Sequence, residues 1–446
     1  MLPENRPTLL RGGCVIDTEP DISVHHRTDV LIEDGRIRAV GRALPAEGAE
    51  IVDATDRIVL PGFVDTHRHL WQAVLRQTAA DCDLGGYFDL VQRTLSPRLT
   101  PEDVRVGQLV GALECLDSGI TTVQDYSHIQ FSPEHTDAAV AGLRSAGIRA
   151  VFGYGYPFFD GDARRPDDVR RAHERHFAAD RAAGGPAEQP PPLVTMALAP
   201  FGPAYAPIAT VAEDWGLAAE LQLPIIVHIG SGPVAERPLH TLREHGLLRP
   251  GTLYVHGNSL PDEELALLAA SGGAMSITPA VEAQMGHGAP MINRLRAAGV
   301  VTGLGVDVVT TVAGDMFSLM RAALLTSQLA EGPALTAADV LRAATLDGAA
   351  ALGLADRIGS LRPGKQADLV LLRTDTVGTA GAVAYDPVGA VVAAAHPGHV
   401  DTVLVAGRPV KRDGRLLHPQ LADSLNAVHT SALRLAARGR TAPPCC

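Results

Sequence analysis

Pro61-Gly-Phe-Val-Asp-Thr-His-Arg-His69 is the stretch that decides the fold, because an apolar run ends there in two histidines separated by one residue. The run Ile58-Val-Leu-Pro-Gly-Phe-Val64, broken only by Pro-Gly, predicts a strand covered on both faces. Residues i and i+2 of a strand point to the same side, so His67 and His69 would lie side by side at its carboxyl end. Two such imidazoles form half of a divalent-metal site.

The spacing of the two histidines does not establish a metal site by itself. The chain has 17 histidines in 446 residues, so one H-x-H pair is expected by chance about once. Support has to come from further ligands and from a fold that brings them together.

Seven further apolar runs follow, separated from one another by polar loops and helical patterns. The runs are 121–125, 149–152, 193–198, 224–228, 252–256, 274–277 and 301–307. The intervening segments 101–118 and 261–271 have helical periodicity and begin with capping residues. Eight strand-helix units predict an α/β fold, a distorted (β/α)₈ TIM barrel.

The two ends of the chain have a different pattern. Residues 8–58 and the segments after the barrel have the pattern of short strands, with Asp34-Gly35 as a hairpin turn. We expect a small β-sandwich domain built from both termini. The Gly- and Pro-rich stretch 184–192 predicts a surface loop. The expected division is 1–59 and 361–420 for the β domain, 60–360 for the barrel, and 421–446 for a C-terminal helix and tail.

Composition excludes several classes of partner. The formal net charge is −12 and no run of basic residues forms a local patch, so no nucleic-acid partner is expected. No stretch approaches about 18 uninterrupted apolar residues, and the N-terminus lacks a signal-peptide pattern. We therefore expect a cytoplasmic protein that acts on a small molecule and has no membrane partner.

Candidate ligands recur at the ends of the predicted strands, where the active groups of such barrels gather. Besides His67 and His69, His228 ends the fifth strand, His256 the sixth and Asp307 the eighth. Coincidence across four strands is improbable. Three nitrogen ligands and one carboxylate suit zinc or ferrous iron and leave an open position for water, which the metal acidifies. One divalent metal ion per chain, Zn²⁺ or Fe²⁺, is expected.

These motifs resemble the amidohydrolase superfamily, particularly its cytosine deaminase and triazine hydrolase-like branch. The resemblance covers nearly the whole chain and rests on 61–69, on Asp117-Ser-Gly-Ile-Thr-Thr-Val-Gln-Asp125 and on Gly359-Ser-Leu-Arg-Pro-Gly-Lys-Gln-Ala-Asp-Leu-Val-Leu371. It implies an aminohydrolase that attacks a C–N bond, other than a peptide bond, in a small cyclic or heteroaromatic substrate. It also implies a homo-oligomer, with a dimer as the first expectation.

The resemblance also implies roles for single residues. His67, His69, His228 and Asp307 would hold one metal ion, and Asp307 would accept a proton from the attacking water. His256 would hydrogen-bond this water and stabilise the tetrahedral intermediate.

Two lysines bear on the number of metal ions. Some members of the superfamily hold two metals with a carboxylated lysine at the end of the fourth strand. Lys365 and Lys411, the only lysines of this chain, lie outside the predicted barrel strands. The composition therefore excludes that arrangement.

One position departs from the pattern of the branch. Its deaminases usually have a glutamate three residues after the fifth-strand histidine, where it transfers a proton to a ring nitrogen, but this chain has Ser231. Serine cannot act as a carboxylic acid near neutral pH. Either another acid replaces it, or the reaction needs none, as in opening of a cyclic amide or removal of a halide.

Glu282, on the loop expected after the seventh strand, is the candidate for the replacement acid; the alternative is an ordinary exposed loop glutamate. His287 and Gln284 are further candidates, Gln284 also as a substrate contact. Trp71 and Gln72 follow the metal histidines, where an aromatic wall and an amide would suit a flat heterocycle. The alternative for Trp71 is packing beneath the first loop.

Other polar residues near strand ends receive lesser roles. Asp125 and Asp315 are interpreted as supporting residues, and His128 receives no role. The loop 154–162, with Phe158, could reach over the site. A non-catalytic barrel would be expected to lose its metal ligands, and this chain retains all four.

Overall fold

The computed structural model describes residues 6–160, 164–178, 192–230 and 235–439. Within these ranges the chain forms two four-stranded parallel sheets, which together make the barrel, and a separate sheet from both ends of the chain. The predicted fold class is therefore confirmed. Ser231 and all but the last residue of the stretch 184–192 lie outside the described residues.

The strands of the described ranges follow the predicted order along the chain. They are β1 (Thr8–Asp17), β2 (Ser23–Glu33), β3 (Arg36–Gly41), β4 (Glu50–Asp53), β5 (Arg57–Pro61), β6 (Phe63–Arg68), β7 (Ile120–Ser127), β8 (Arg149–Gly155), β9 (Val194–Ala199), β10 (Ile226–Gly230), β11 (Leu253–His256), β12 (Ala274–Ile277), β13 (Val301–Leu304), β14 (Leu369–Arg373), β15 (Val400–Val405), β16 (Arg408–Arg412) and β17 (Arg415–Leu416). Strands β6 to β13 form the barrel, as the eight apolar runs predicted.

Helices follow the barrel strands, with further helices near the C-terminus. The α-helices of the described ranges are α1 (Leu84–Tyr87), α2 (Pro101–Asp117), α3 (Pro133–Ala146), α4 (Pro166–Ala172), α5 (Ile208–Glu220), α6 (Pro238–Glu244), α7 (Asp262–Ser271), α8 (Pro279–Met285), α9 (Ile292–Ala297), α10 (Met316–Leu329), α11 (Ala337–Ala343), α12 (Leu346–Ala351), α13 (Pro387–Gly389) and α14 (Leu421–Gly439). None of those helices combines the length and the apolar character needed to cross a membrane.

The first long barrel helix, α2, begins with the predicted capping residues. The hydroxyl of Thr100 accepts a hydrogen bond from the backbone N–H of Asp103, and the Asp103 carboxylate accepts one from the N–H of Thr100. This reciprocal pair satisfies two of the N–H groups that have no partner inside the helix.

One prediction is corrected: the apolar run 58–64, expected to be a single strand, forms two strands. Strand β5 pairs with β1 and β14 of the terminal sheet, whereas β6 pairs with β7 of the barrel. Gly62 lies between them, and a Cβ atom at this residue would lie 2.0 Å from Oγ1 of Thr121. A residue without a side chain is therefore needed where the backbone passes from one sheet to the other.

The terminal sheet has the strand order β17-β16-β15-β14-β5-β1-β2-β3, with β4 beside β1. The predicted hairpin is confirmed: β2 and β3 are antiparallel, and Asp34 and Gly35 in the turn have φ angles of 50° and 74°. The sheet curls on itself, because Ala367, next to β14, donates a backbone hydrogen bond to Gly35 and accepts one from Gly407. These contacts join the β2–β3 turn to the β15–β16 turn.

The barrel closes between its first and last strands beside the predicted metal ligands. The backbone N–H of Asp307 donates to the carbonyl of His67 at 2.8 Å, and the N–H of His69 donates to the carbonyl of Asp307 at 3.0 Å. The close approach requires a glycine, since a Cβ atom at Gly305 would lie 2.8 Å from the His67 carbonyl oxygen. Closure of the barrel therefore fixes the backbone of these three residues relative to one another.

Candidate metal centre and active site

Four predicted ligands converge at the carboxyl end of the barrel. The Nε2 atoms of His67 and His228 are 3.2 Å apart. Oδ1 of Asp307 lies 3.4 Å from Nε2 of His67 and 3.3 Å from Nε2 of His69. All four side chains are buried. The atoms that would bind a metal ion therefore face one small space, on strands that are far apart in the sequence.

Hydrogen bonds from the opposite ring nitrogens orient two of these histidines. Nδ1 of His67 lies 3.3 Å from Oε1 of Gln124, and Nδ1 of His69 lies 2.7 Å from the carbonyl oxygen of Tyr126. Because each Nδ1 donates a proton to an oxygen, each Nε2 keeps its lone pair. Both rings therefore present the nitrogen that binds a metal.

The donor set fits a divalent cation. Nε2 lone pairs and the carboxylate of Asp307 crowd a buried space, and such acceptors repel one another unless a positive ion lies between them. The ligand atoms of His67, His69 and His228 all lie within 4.8 Å of one another. The buried Nδ1 of His228 has no hydrogen-bond partner among the residues that the structure describes. Three imidazoles and one carboxylate are the donors that zinc and ferrous iron take.

His256 lies next to the four predicted metal ligands and faces one of them, Asp307. Its Nε2 is 3.7 Å from Oδ2 of Asp307, the oxygen of that carboxylate that does not face His67 and His69. Both residues have a φ of 67°, a left-handed conformation that is uncommon outside glycine and is concentrated at functional sites. The two side chains thus share one edge of the candidate site.

Glu282 lies behind His256, which corrects its predicted place on a loop. It belongs to the first turn of α8, because Pro279 starts that helix directly after β12. Its carboxylate accepts a hydrogen bond from the N–H of Thr278 at 2.8 Å and from Nδ2 of Asn258 at 3.1 Å, and lies 3.3 Å from Nδ1 of His256. Only 3% of the surface of Glu282 is exposed. The alternative interpretation, an ordinary exposed loop glutamate, is therefore also wrong.

The contact between Glu282 and His256 changes the pKa of both groups. Burial lowers the pKa of the His256 imidazole, but the hydrogen bond with Glu282 and the negative charges of Asp307 and Glu282 together raise it. Burial raises the pKa of the Glu282 carboxyl, but the hydrogen bond and charge of His256, together with the hydrogen bonds from Thr278 and Asn258, hold it below its ordinary value. Both shifts favour a protonated histidine beside an ionised glutamate.

A cavity lies above the predicted metal ligands, and its space of about 400 Å³ includes the part that opens to solvent. Two further histidines, His128 and His287, line it. The rest of its wall is mainly apolar or aromatic and includes Leu84, Tyr87, Phe88, Phe158, Tyr205 and Met285. Phe158 of the loop predicted to reach over the site packs 5.4 Å from the His128 ring centroid. Such a wall suits a flat, largely apolar ligand.

Three predicted substrate contacts are corrected, because their side chains do not line the cavity. After His69 the chain turns into the short 3₁₀ segment Leu70–Leu75 instead of continuing as an open loop. Trp71 is fully buried there and donates from Nε1 to Nδ1 of His128. Gln72 is buried and donates to the hydroxyl of Tyr87. Gln284 is exposed on α8 and donates to the carbonyl of Ala80.

The supporting aspartates stabilise the surroundings of the site. Asp125 accepts hydrogen bonds from the backbone N–H of Leu70 and from Nε2 of Gln108, so it anchors the chain directly after His69. Burial raises the pKa of Asp125 to about 7. Asp315 caps α10 by accepting from the N–H of Ser318.

Sequence reasoning missed the residues that orient the ligands. Gln124 was visible as a polar residue inside an apolar strand, which is a signal of a buried hydrogen bond. The carbonyl of Tyr126 and the amide of Asn258 carried no such signal. Neither lysine approaches the site: Lys365 pairs with Glu19, and Lys411 with Asp117.

Comparison with known proteins agrees with this geometry. Residues 58–410 match the model of the Amidohydrolase family. A 5-methylthioadenosine/S-adenosylhomocysteine deaminase of Desulforudis audaxviator is 31% identical over 445 residues, covering 96% of this chain and 98% of the relative. The chain belongs to the amidohydrolase family. The predicted class of reaction, hydrolysis of a C–N bond other than a peptide bond, is confirmed.

Solved structures share the fold. An adenosine deaminase from Xanthomonas campestris with bound zinc is 28% identical, with a TM-score of 0.85 over 96% of this chain and 98% of that one. A triazine hydrolase from Arthobacter aurescens is 24% identical, with a TM-score of 0.83 over 96% of this chain and 99% of that one. The predicted branch of the family is confirmed.

Proposed function

We propose that this chain is a metal-dependent aminohydrolase that releases ammonia from the adenine ring of a nucleoside with an apolar or extended 5′ substituent. The observation that carries the proposal is the convergence of His67, His69, His228 and Asp307 beside His256. The similarity to a methylthioadenosine and adenosylhomocysteine deaminase supports the adenine nucleoside. The apolar cavity wall is compatible with the purine ring and the 5′ group.

We propose that His67, His69, His228 and Asp307 hold one ion per chain, Zn²⁺ in the first place and Fe²⁺ as the alternative. The ion supplies a Lewis acid that lowers the pKa of water. Burial alone would raise the pKa of Asp307, but its contacts with His67 and His69 and the charge of His256 hold it well below its usual range. Asp307 is therefore an ionised carboxylate that can take the proton lost as water adds to the ring carbon.

His256 and Asp307 then complete the reaction. A protonated His256 donates a hydrogen bond to the oxygen that adds to the ring carbon. The proton held by Asp307 moves to the amino nitrogen, the C–N bond breaks, and ammonia leaves. Glu282 acts through His256, since its carboxylate holds the imidazole in the orientation that presents Nε2 to Asp307.

Glu282→Gln is expected to lower kcat about 10- to 100-fold, because His256 loses the charged partner that orients it and favours its protonated form. Bound metal should be unchanged, since Glu282 contacts none of the four ligands. Steady-state kinetics and metal analysis of the purified variant measure both quantities. Gln284→Ala, an exposed position on the same helix, serves as the control. Undiminished kcat in Glu282→Gln would remove this role.

Ammonia release tests the proposed function directly. The zinc-loaded protein is incubated with adenosine, 5′-deoxyadenosine, 5′-methylthioadenosine and S-adenosylhomocysteine, and in parallel with cytosine, guanine, amino-triazines and cyclic amides. We expect ammonia from the adenine nucleosides, with the highest kcat/KM for those with an apolar or extended 5′ group. Absence of ammonia from every adenine nucleoside would overturn the proposal.

A second candidate function follows from the acids of the cavity. Asp307 is the only carboxylate among the described residues that line it, and the sequence has Ser231 in place of the usual glutamate. A reaction without ring protonation, such as halide removal or opening of a cyclic amide, fits this composition. Chloride release from chlorotriazines, or ring opening without ammonia, would favour this candidate.

The proposal includes a homo-oligomer, with a dimer as the first expectation, in the cytoplasm. The oligomer rests on the resemblance to the family, and the location is the expectation drawn from the sequence. Light scattering of the purified protein measures the oligomeric state, and fractionation of the source cells measures the location.

A further inference from the structure

His287 is a buried histidine of the cavity wall whose ring has no hydrogen-bond partner. Only 4% of its surface is exposed, and within the described part of the chain neither Nδ1 nor Nε2 has a partner. Burying a polar group without a hydrogen bond costs free energy, so native proteins rarely leave both nitrogens of one ring unpaired. A ligand in the cavity could supply the missing bond.

The second non-ligand histidine of the wall, His128, is different. Its Nδ1 accepts from the indole of Trp71 at 3.2 Å, and its Nε2 faces the side-chain amide of Gln92 at 3.0 Å. The hydroxyl of Tyr87 is also paired, with Gln72 and Gln92. Protein groups therefore satisfy His128 and Tyr87, but not His287.

The main chain holds His287 in place without a hydrogen bond from its ring. The backbone N–H of His287 donates to the carbonyl of Glu282 at 2.9 Å, and Gly286 ends α8 with a φ of 72°. The ring meets that of His256 edge-on at a centroid distance of 5.0 Å. His287 thus lies on the side of the reacting groups where Glu282 and His256 are joined.

Resting on the proposed function, we infer that His287 binds the substrate by donating a hydrogen bond from its imidazole to a ring nitrogen of the heterocycle. A neutral imidazole has one donor and one acceptor, and a purine ring presents unprotonated nitrogens as acceptors. When water adds to the ring carbon, electron density moves onto the neighbouring ring nitrogen, where a donor is most useful. His287 would then stabilise the charge on the ring nitrogen by a hydrogen bond. This replaces part of the role of the usual glutamate, which Ser231 cannot fill.

The test compares variants of His287 with analogues of the substrate. His287→Phe keeps a flat ring but removes both nitrogens, and His287→Gln keeps a donor. For each zinc-loaded protein we would measure KM, or the inhibition constant, for the best adenine nucleoside and for its 1-deaza, 3-deaza and 7-deaza analogues. Each analogue replaces one ring nitrogen with CH. His245→Phe, which changes an exposed histidine, is the control.

We expect His287→Phe to weaken binding of the parent nucleoside about 10- to 100-fold, the usual effect of leaving a buried polar group unpaired. The analogue that lacks the nitrogen bonded by His287 should bind wild type weakly. His287→Phe should not weaken the binding of this analogue any further. His287→Gln should recover part of the affinity. Parent affinity unchanged in His287→Phe, or an equal loss for all analogues, would overturn the inference.

Failure of this inference can be separated from failure of the proposed function. If wild type releases no ammonia from adenine nucleosides, the proposed function fails, and His287→Phe is judged by KM on the compound of the panel that wild type hydrolyses. If wild type deaminates adenine nucleosides and His287→Phe binds them equally well, only the role of His287 fails. Thermal unfolding and metal content identify a variant that has misfolded, in which case His287→Gln decides.

Discussion

Asp307→Asn is expected to lower kcat about 100- to 10,000-fold while the protein still folds and binds its metal. Asparagine has nearly the shape of aspartate, but its amide is neutral and cannot take the proton that water loses. The carboxylate holds a central position: Oδ1 faces His67 and His69, and Oδ2 faces His256 at 3.7 Å. The substitution therefore removes the negative charge that faces His67 and His69 on one side and His256 on the other.

Metal analysis has to accompany the kinetics, because Asp307 is proposed to bind the metal as well as the proton. Three histidines remain in the variant, and three protein ligands suffice for catalytic zinc sites. We therefore expect close to one equivalent of metal at high zinc concentration. Asp315→Asn, which changes the cap of α10, is the control and should turn over normally. A fully active Asp307→Asn enzyme would contradict its role as the base.

Removal of the metal is expected to abolish activity and to lower Tm. Any ion that binds only the folded state stabilises it, by about 4 kcal/mol when the free ion is at 1,000 times its Kd. For a chain of this size we expect Tm of the chelated protein to fall by about 5 °C. The physical reason is that the buried acceptors of His67, His69, His228 and Asp307 then face one another without a cation.

Titration of the chelated protein with zinc measures how many zinc ions bind per chain and how far activity and Tm recover. One equivalent per chain should restore both activity and Tm. A need for two equivalents would contradict the single ion that we propose. The double variant His67→Ala/His69→Ala provides the control, because only two ligands remain and its Tm should be nearly the same with and without zinc.

The barrel, and the convergence of the four proposed metal ligands, could be predicted because both depend on local sequence patterns. Each strand is an apolar run, and a ligand such as His228 or Asp307 follows directly after its run. The topology then brings strand ends together, whatever lies between them. The division of the run 58–64 could not be read in the same way, since it depends on contact of Gly62 with Thr121 on another strand.

The errors near the site have local causes. Trp71 and Gln72 were expected at the cavity because they follow His69, but a 3₁₀ segment turns both side chains into the core. For Glu282 a signal was present: Thr278-Pro279 is a typical helix start, which places Glu282 in a first turn. The unpaired ring of His287 carried no signal, because hydrogen-bond satisfaction depends on the assembled structure.

The closure of the barrel has a consequence for how the protein is made. His67 and His69 leave the ribosome early, but the backbone bonds that place Asp307 against them join the first barrel strand to the last. An unfinished chain therefore exposes two imidazoles without their carboxylate partner. Because such a long loop must close before the ligand set is complete, the site can form only after the last barrel strand has been synthesised and has joined the first.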